Sequence, residues 1–167
     1  QIGIILLVMF MIAYYRFLGV MACVSLGIYA LFFLAILTLF PITLTLPGIA
    51  ALILSLGMAV DANVLIFERT KEELRAKHPL NAAVEAGFSR AWPAIRDSNV
   101  TTFIACIILF WLGGTFGAFM VRGFALTLFI GVALSMFTAI IVTRTFLRFV
   151  VKNRLVTNLA AYGVKEQ

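Results

Sequence analysis

Between Leu46 and Phe67 the chain carries no charge except Asp61, which lies about two thirds of the way along. A hydrocarbon core roughly 30 Å thick takes about 20 apolar residues of helix, so this stretch is long enough to cross a bilayer. Inside a bilayer every backbone amide and carbonyl must be paired, which leaves helices and closed barrels as the spanning forms. The run therefore constrains solvent and secondary structure together. Comparable runs occupy Phe17–Phe40 and Phe124–Val142, and a shorter one covers Ile2–Tyr14. Val100–Leu112 reaches spanning length if its helix extends back through Asn99, Ser98 and Asp97 towards Trp92. Composition agrees: 63% hydrophobic residues, 12% charged residues and a mean hydropathy of +1.12 do not suit a water-soluble domain of 167 residues. The expected fold is all-α, a polytopic transmembrane bundle of five helices near residues 1–15, 17–40, 46–68, 92–113 and 121–144. These helices make up a membrane domain over 1–156, with a helical loop at 69–91 and a tail at 157–167.

The first segment lacks the basic leader and small-residue cleavage site of a signal peptide, and the chain opens on Gln1, so it reads as a fragment or a processed chain. Basic residues orient the bundle. With the C-terminus in the cytoplasm, Arg16, the Glu68–Arg96 loop and the C-terminal end face inward, while the Pro41–Thr45 turn and Gly113–Gly123 face outward. Of thirteen Lys and Arg, only Arg122 then falls outside. The reverse topology inverts that ratio, so the positive-inside rule selects the first. The net charge of +6 is accounted for by orientation against anionic lipid, and nucleic acid is not needed to explain it.

Cys23 and Cys106 lie in apolar runs, where a thiol acts as a small hydrophobe, and indicate neither a disulfide nor a metal. His78 stands alone in a His-Pro step of the polar loop. No nucleophile with its base and no glycine-rich phosphate loop is present, which argues against a conventional enzyme and against a cofactor. In the loop, Glu68 to Lys77 continues the preceding helix, with Glu73 and Lys77 spaced to pair, until His78-Pro79 stops it. A second helix starts near Leu80 and lays an apolar face along the interface before Trp92-Pro93.

A carboxylate at the depth of Asp61 costs about 2.5–3.5 kcal/mol on insertion scales and so marks a functional site by default. Leu54, Gly57 and Asp61 share one helix face, and the glycine lets another helix approach closely, which directs Asp61 towards protein. Asp97 with Thr101 and Thr102 gathers a second carboxylate and two hydroxyls near the cytoplasmic end. Gly131, Ser135, Thr138 and Val142 form a small-residue stripe on the last segment, and the three faces together suggest one shared interior. Asp61 reads as a titrating group, the alternative being a protonated acid that merely ties helices together. Asp97 reads as a second relay or as a helix cap paired with Arg96. Asn63, Thr101 and Thr102 read as packing or hydrogen-bonding support. Every Lys and Arg sits at a segment end, so an ionised Asp61 requires a basic partner from outside these residues, in a partner subunit or in a fused second half of the same polypeptide.

At Gly57-Met-Ala-Val-Asp-Ala-Asn-Val-Leu-Ile-Phe-Glu-Arg69, followed by Lys71-Glu-Glu-Leu74, the chain closely resembles the SecD members of the SecD/SecF protein-export family. The resemblance extends to Tyr14-Tyr-Arg16, Leu44-Thr-Leu-Pro-Gly-Ile-Ala50, Asp97-Ser-Asn-Val-Thr-Thr102, Arg122-Gly-Phe-Ala125 and Gly131-Val-Ala-Leu-Ser-Met-Phe-Thr-Ala139. It implies that these helices are the second to sixth of such a subunit, forming half of an RND-type pseudo-symmetric membrane domain in the bacterial inner membrane. A first helix and a large extracytoplasmic domain would precede Gln1. It further implies use of the proton motive force to assist preprotein translocation from the SecYEG channel, with Asp61 as the relay carboxylate and a SecF-like partner supplying the missing charge. A small-molecule exporter of RND type would use the same proton chemistry, and a passive assembly scaffold would need none.

Overall fold

Thr45 starts the central helix of the protein. In the computed structural model, which describes residues 2–15, 17–40 and 45–152, its hydroxyl accepts the Gly48 amide at 3.3 Å, with Pro47 in the first turn, where a missing N–H costs nothing. This helix, α3, runs Leu46–Arg75; before it come α1 (Ile2–Tyr15) and α2 (Phe17–Leu39). After it, α4 spans Leu80–Thr115 and α5 spans Phe119–Phe137, followed by a π-helical segment at Thr138–Thr143 and α6 at Arg144–Lys152. Because the last three elements form one rod, the described residues form a bundle of five helical rods. Four of them are long and apolar enough to cross a membrane, and Ile5–Tyr15 is a shorter apolar helix. Arg16, Pro41–Leu44 and the tail expected at 157–167 lie outside the described residues.

On α3 the buried positions Ala51, Ser55, Ala59, Ala62, Ile66 and Thr70 recur every three or four residues and face α4 and α5. Their small size sets the helix spacing. A Cβ added at Gly131 of α5 would stand 2.5 Å from Ser55 Cβ and 3.0 Å from Tyr29 Oη, and one at Gly87 of α4 would stand 2.8 Å from the Thr70 amide nitrogen. Tyr29 of α2 reaches the same point, its hydroxyl 2.8 Å from Ser55 Oγ. At the other end of α3, Lys71 is buried beneath Tyr14 and Tyr15 of α1, 4.7 and 4.4 Å from the two ring centroids, with Glu68 at 3.6 Å. These cation–π contacts dock the short α1 rod on α3 and let the ammonium be buried.

The loop differs from expectation in two respects. Lys77 adopts φ 63° just after α3, and the His78 and Lys77 amides donate to the carbonyls of Glu73 and Leu74, the pattern of a Schellman cap. Leaving the helix there carries Lys77 away from Glu73. The buried Glu73 carboxylate pairs instead with Arg90 of α4 and with His78 Nδ1 at 3.1 Å. Secondly, α4 continues unbroken through Trp92-Pro93, so the interfacial helix and the span expected at 92–113 are one element. An interior proline costs about 3 kcal/mol. It is tolerated because Val84, Phe88, Ala91, Ile95 and Asn99 form one buried stripe across it, while Pro93 itself stays on the exposed side.

The π segment also revises the expected stripe on the last rod. Gly131, Ser135 and Thr138 are buried, but Val142 is only half-buried and Thr143 is fully buried. A π turn closes its hydrogen bond over five residues where an α turn closes it over four, so the wider turn moves the inward position after Thr138 from 142 to 143. The Thr138 hydroxyl donates to the carbonyls of Leu134 and Ser135 at 3.0 and 3.1 Å, at the point where the ladder changes.

Candidate functional site

The buried stripe of α3 leaves Leu54, Gly57 and Asp61 on the opposite, exposed side. Space beside Gly57 is open, with no atom within 4 Å of an added Cβ. This corrects the expectation of a shared interior: the Asp61 face is turned outward from these five rods. Close packing along the α3 stripe decides it, because Ala51, Ser55, Ala59 and Ala62 admit the neighbouring helices and the carboxylate side is left over.

Asp61 nevertheless has neighbours. It borders a cleft of about 100 Å³ between α3 and α4, lined by Met58, Ala62 and Leu65 on one side and Ile95, Ser98, Asn99 and Thr102 on the other. That volume accommodates several waters, and the lining offers them polar partners. The Ser98 and Thr102 hydroxyls donate within their own helix, to the carbonyls of Ile95 at 3.0 Å and Ser98 at 3.1 Å. Their oxygens therefore remain free to accept. Among the described residues Asp61 takes part in no ion pair; the pairs formed involve residues 68–78, 85–97 and 144–148.

The structure brings Asp61 and Thr102 to this cleft but not the other predicted residues. Asp97 lies on an exposed part of α4, paired with Arg96 at 2.9 Å, and it cannot cap a helix whose first residue is Leu80. Thr101 donates to the Asp97 carbonyl at 2.9 Å and faces outward. Asn63, two residues beyond Asp61 and so on the other side of α3, is buried in a different cluster: its Oδ1 accepts the Thr143 hydroxyl at 2.8 Å, and Thr143 is 3.0 Å from Ser25 Oγ. Asn99, Ser98, Thr143 and Ser25 escaped sequence reasoning. Asn99 had a signal, since it continues the apolar stripe of Val84, Phe88, Ala91 and Ile95 at helical spacing. Thr143 had none, because an unbroken α-helix puts Val142 in its place. Among the described residues no group of three or more His, Cys, Asp or Glu could hold a metal ion.

Four helices long and apolar enough to cross a membrane, packed on one another through small residues, define a multi-pass α-helical membrane protein. The chain belongs to the protein export membrane protein SecD/SecF C-terminal family, which it matches over residues 2–153. It is 60% identical over 162 residues to the protein translocase subunit SecD of Dehalococcoides mccartyi, covering 96% of this chain and 36% of that one. It is 55% identical to SecD of Thermobaculum terrenum, over 98% of this chain and 32% of the relative. The chain thus spans about a third of the length of these curated relatives. Among solved structures it is similar to SecDF from Thermus thermophilus, described as a translocon-associated membrane protein, with TM-score 0.85 and 39% identity over 93% of this chain and 21% of that chain. SecDF in a super-membrane-facing form gives TM-score 0.83 and 38% identity over 90% of this chain and 20% of the other.

Proposed function

We propose that this chain is the membrane half of a proton-driven export subunit, with Asp61 as the group that loads and releases the proton. One observation carries the reading: the intramembrane carboxylate faces out of its own bundle beside an open glycine position, while a small polar-lined cleft leads to it from α4. A second, homologous membrane half of SecF type closing on this face would supply the basic partner that the described residues lack. The SecDF structures, one of them of a translocon-associated membrane protein, support that arrangement, and the relatives, protein translocase subunits, support protein translocation as the work done.

Protonation is the switch. A neutral Asp61 donates a hydrogen bond and tolerates hydrocarbon, whereas an ionised Asp61 demands a cation or water, so each state favours a different arrangement of the two halves. One charge moved across 100 mV supplies about 2.3 kcal/mol, enough to bias such an equilibrium. The clusters of Glu73 with Arg90, and of Glu85 with Arg144 and Arg148, mark one end of the bundle, and the basic excess there supports a cytoplasmic placement in the bacterial inner membrane. Asp97, solvated beside Arg96 near that end, acts as an entry or exit point rather than as the central carrier.

The test is Asp61→Asn in the full-length protein, which keeps shape but removes the titrating proton. Proton-motive-force stimulation of preprotein translocation into membrane vesicles should vanish while copurification with the partner subunit persists. Undiminished stimulation in that variant would refute the relay.

A further inference from the structure

Arg122 is the basic residue that the charge asymmetry of the sequence leaves on the far side, and the proton relay makes no use of it. It occupies the first turn of α5, beside the α4–α5 connection, at the end of the bundle opposite the Glu73 and Glu85 clusters. Glycines make its path: a Cβ at Gly113 would stand 2.8 Å from Arg122 Cγ, and Gly114 lies alongside the guanidinium. The guanidinium stacks on Phe110, with Cζ 4.5 Å from the ring centroid. Among the described residues no carboxylate pairs with it. Five N–H donors in a rigid fork are thus held in place facing an apolar groove.

That groove, about 650 Å³ between α4 and α5, is lined beside Arg122 by Ile107, Phe110, Trp111, Leu126 and Phe129. Its size falls in the range of ligand sites, about 300–1,000 Å³. The occupant must combine an anionic, bidentate acceptor with a hydrocarbon body. Trp111, exposed at the same level, is the kind of amphipathic aromatic side chain that sits at the headgroup region and sets the groove there. We infer that the groove is a phospholipid site, in which the phosphodiester is held by the Arg122 fork and one acyl chain lies between α4 and α5. A peptide carboxylate would satisfy the guanidinium but not the lining, and a free phosphate would leave the lining bare. The cation alone among apolar walls selects the lipid.

Native mass spectrometry of the full-length protein with its partner, titrated with dioleoylphosphatidylglycerol, reads this directly. One lipid should be retained in an Arg122-dependent manner, with affinity falling about tenfold in Arg122→Gln and less in Arg122→Lys, as expected for loss of a charge-assisted bidentate pair. Dioleoylglycerol, with the same chains and no phosphate, should not be retained. Leu126→Trp fills the groove without touching the cation and should also expel the lipid, which keeps the test decisive if the Arg122 variants assemble poorly. Equal retention by Arg122→Gln, equal retention of dioleoylglycerol, or efficient cross-linking of Leu126→Cys to a helix of the partner would each overturn the assignment.

Discussion

Thr143 and Asn63, 80 residues apart in the chain, meet at 2.8 Å in the buried centre of the bundle, where the Thr143 hydroxyl donates to the Asn63 carbonyl oxygen. Because Asn63 lies two residues beyond Asp61 and so on the other side of α3, this bond adds to the close packing that turns Asp61 outward. Ser25 on α2 joins the same hydroxyl at 3.0 Å, so three rods are pinned at one level.

Replacing Thr143 by Val keeps the shape and deletes the hydroxyl, leaving Asn63 and Ser25 without that partner. Loss of about 1–2 kcal/mol is expected, the upper range for an interhelical hydrogen bond in a membrane protein. Thermal unfolding in detergent should show a lowered midpoint for Thr143→Val and a near-normal one for Thr143→Ser. Equal midpoints for Val and the parent would show that the cluster does not hold the rods.

Gly87 and Gly131 let α4 and α5 approach α3 closely. An alanine at Gly87 meets backbone, with the Thr70 amide nitrogen 2.8 Å from the new Cβ, whereas at Gly131 it meets the Ser55 and Tyr29 side chains. Backbone cannot yield by rotamer change. Gly87→Ala should cost about 1–3 kcal/mol and Gly131→Ala a similar amount, recoverable in part by Ser55→Gly. Denaturant titration of the single and double variants checks this, since Ser55→Gly should rescue Gly131→Ala and not Gly87→Ala.

Lys77 holds a left-handed conformation, φ 63°, that glycine adopts without penalty. Lys77→Gly should therefore stabilise the loop by about 1 kcal/mol. Hydrogen exchange at the His78 and Lys77 amides, which close the cap on Glu73 and Leu74, should slow accordingly. Faster exchange would mean that the lysine contributes more through its side chain than its backbone loses.

Asp97→Asn removes the charge from an exposed pair with Arg96, worth about 0.2–1 kcal/mol. Translocation should weaken less than in Asp61→Asn, with assembly unchanged. An equal loss of the proton-driven step, assembly being intact, would move Asp97 into the main relay.

What the sequence by itself determined is everything that depends on adding up local preferences. Apolar length made the chain a membrane helix bundle, and the run from Leu46 to Phe67 placed Asp61 within an apolar span, because transfer to lipid is a property of each residue and its near neighbours. The tertiary structure decided which way the faces turn. Pro93 sits inside α4 because a stripe from Val84 to Asn99 is packed on both sides of it, and Thr143 displaces Val142 because a π turn shifts the phase after Thr138. Asp61 faces outward because α4 and α5 compete for the small residues of α3 and leave its carboxylate side uncovered. Each of these outcomes depends on complementarity between surfaces distant along the chain, and helical periodicity names the faces without saying which partner will cover them.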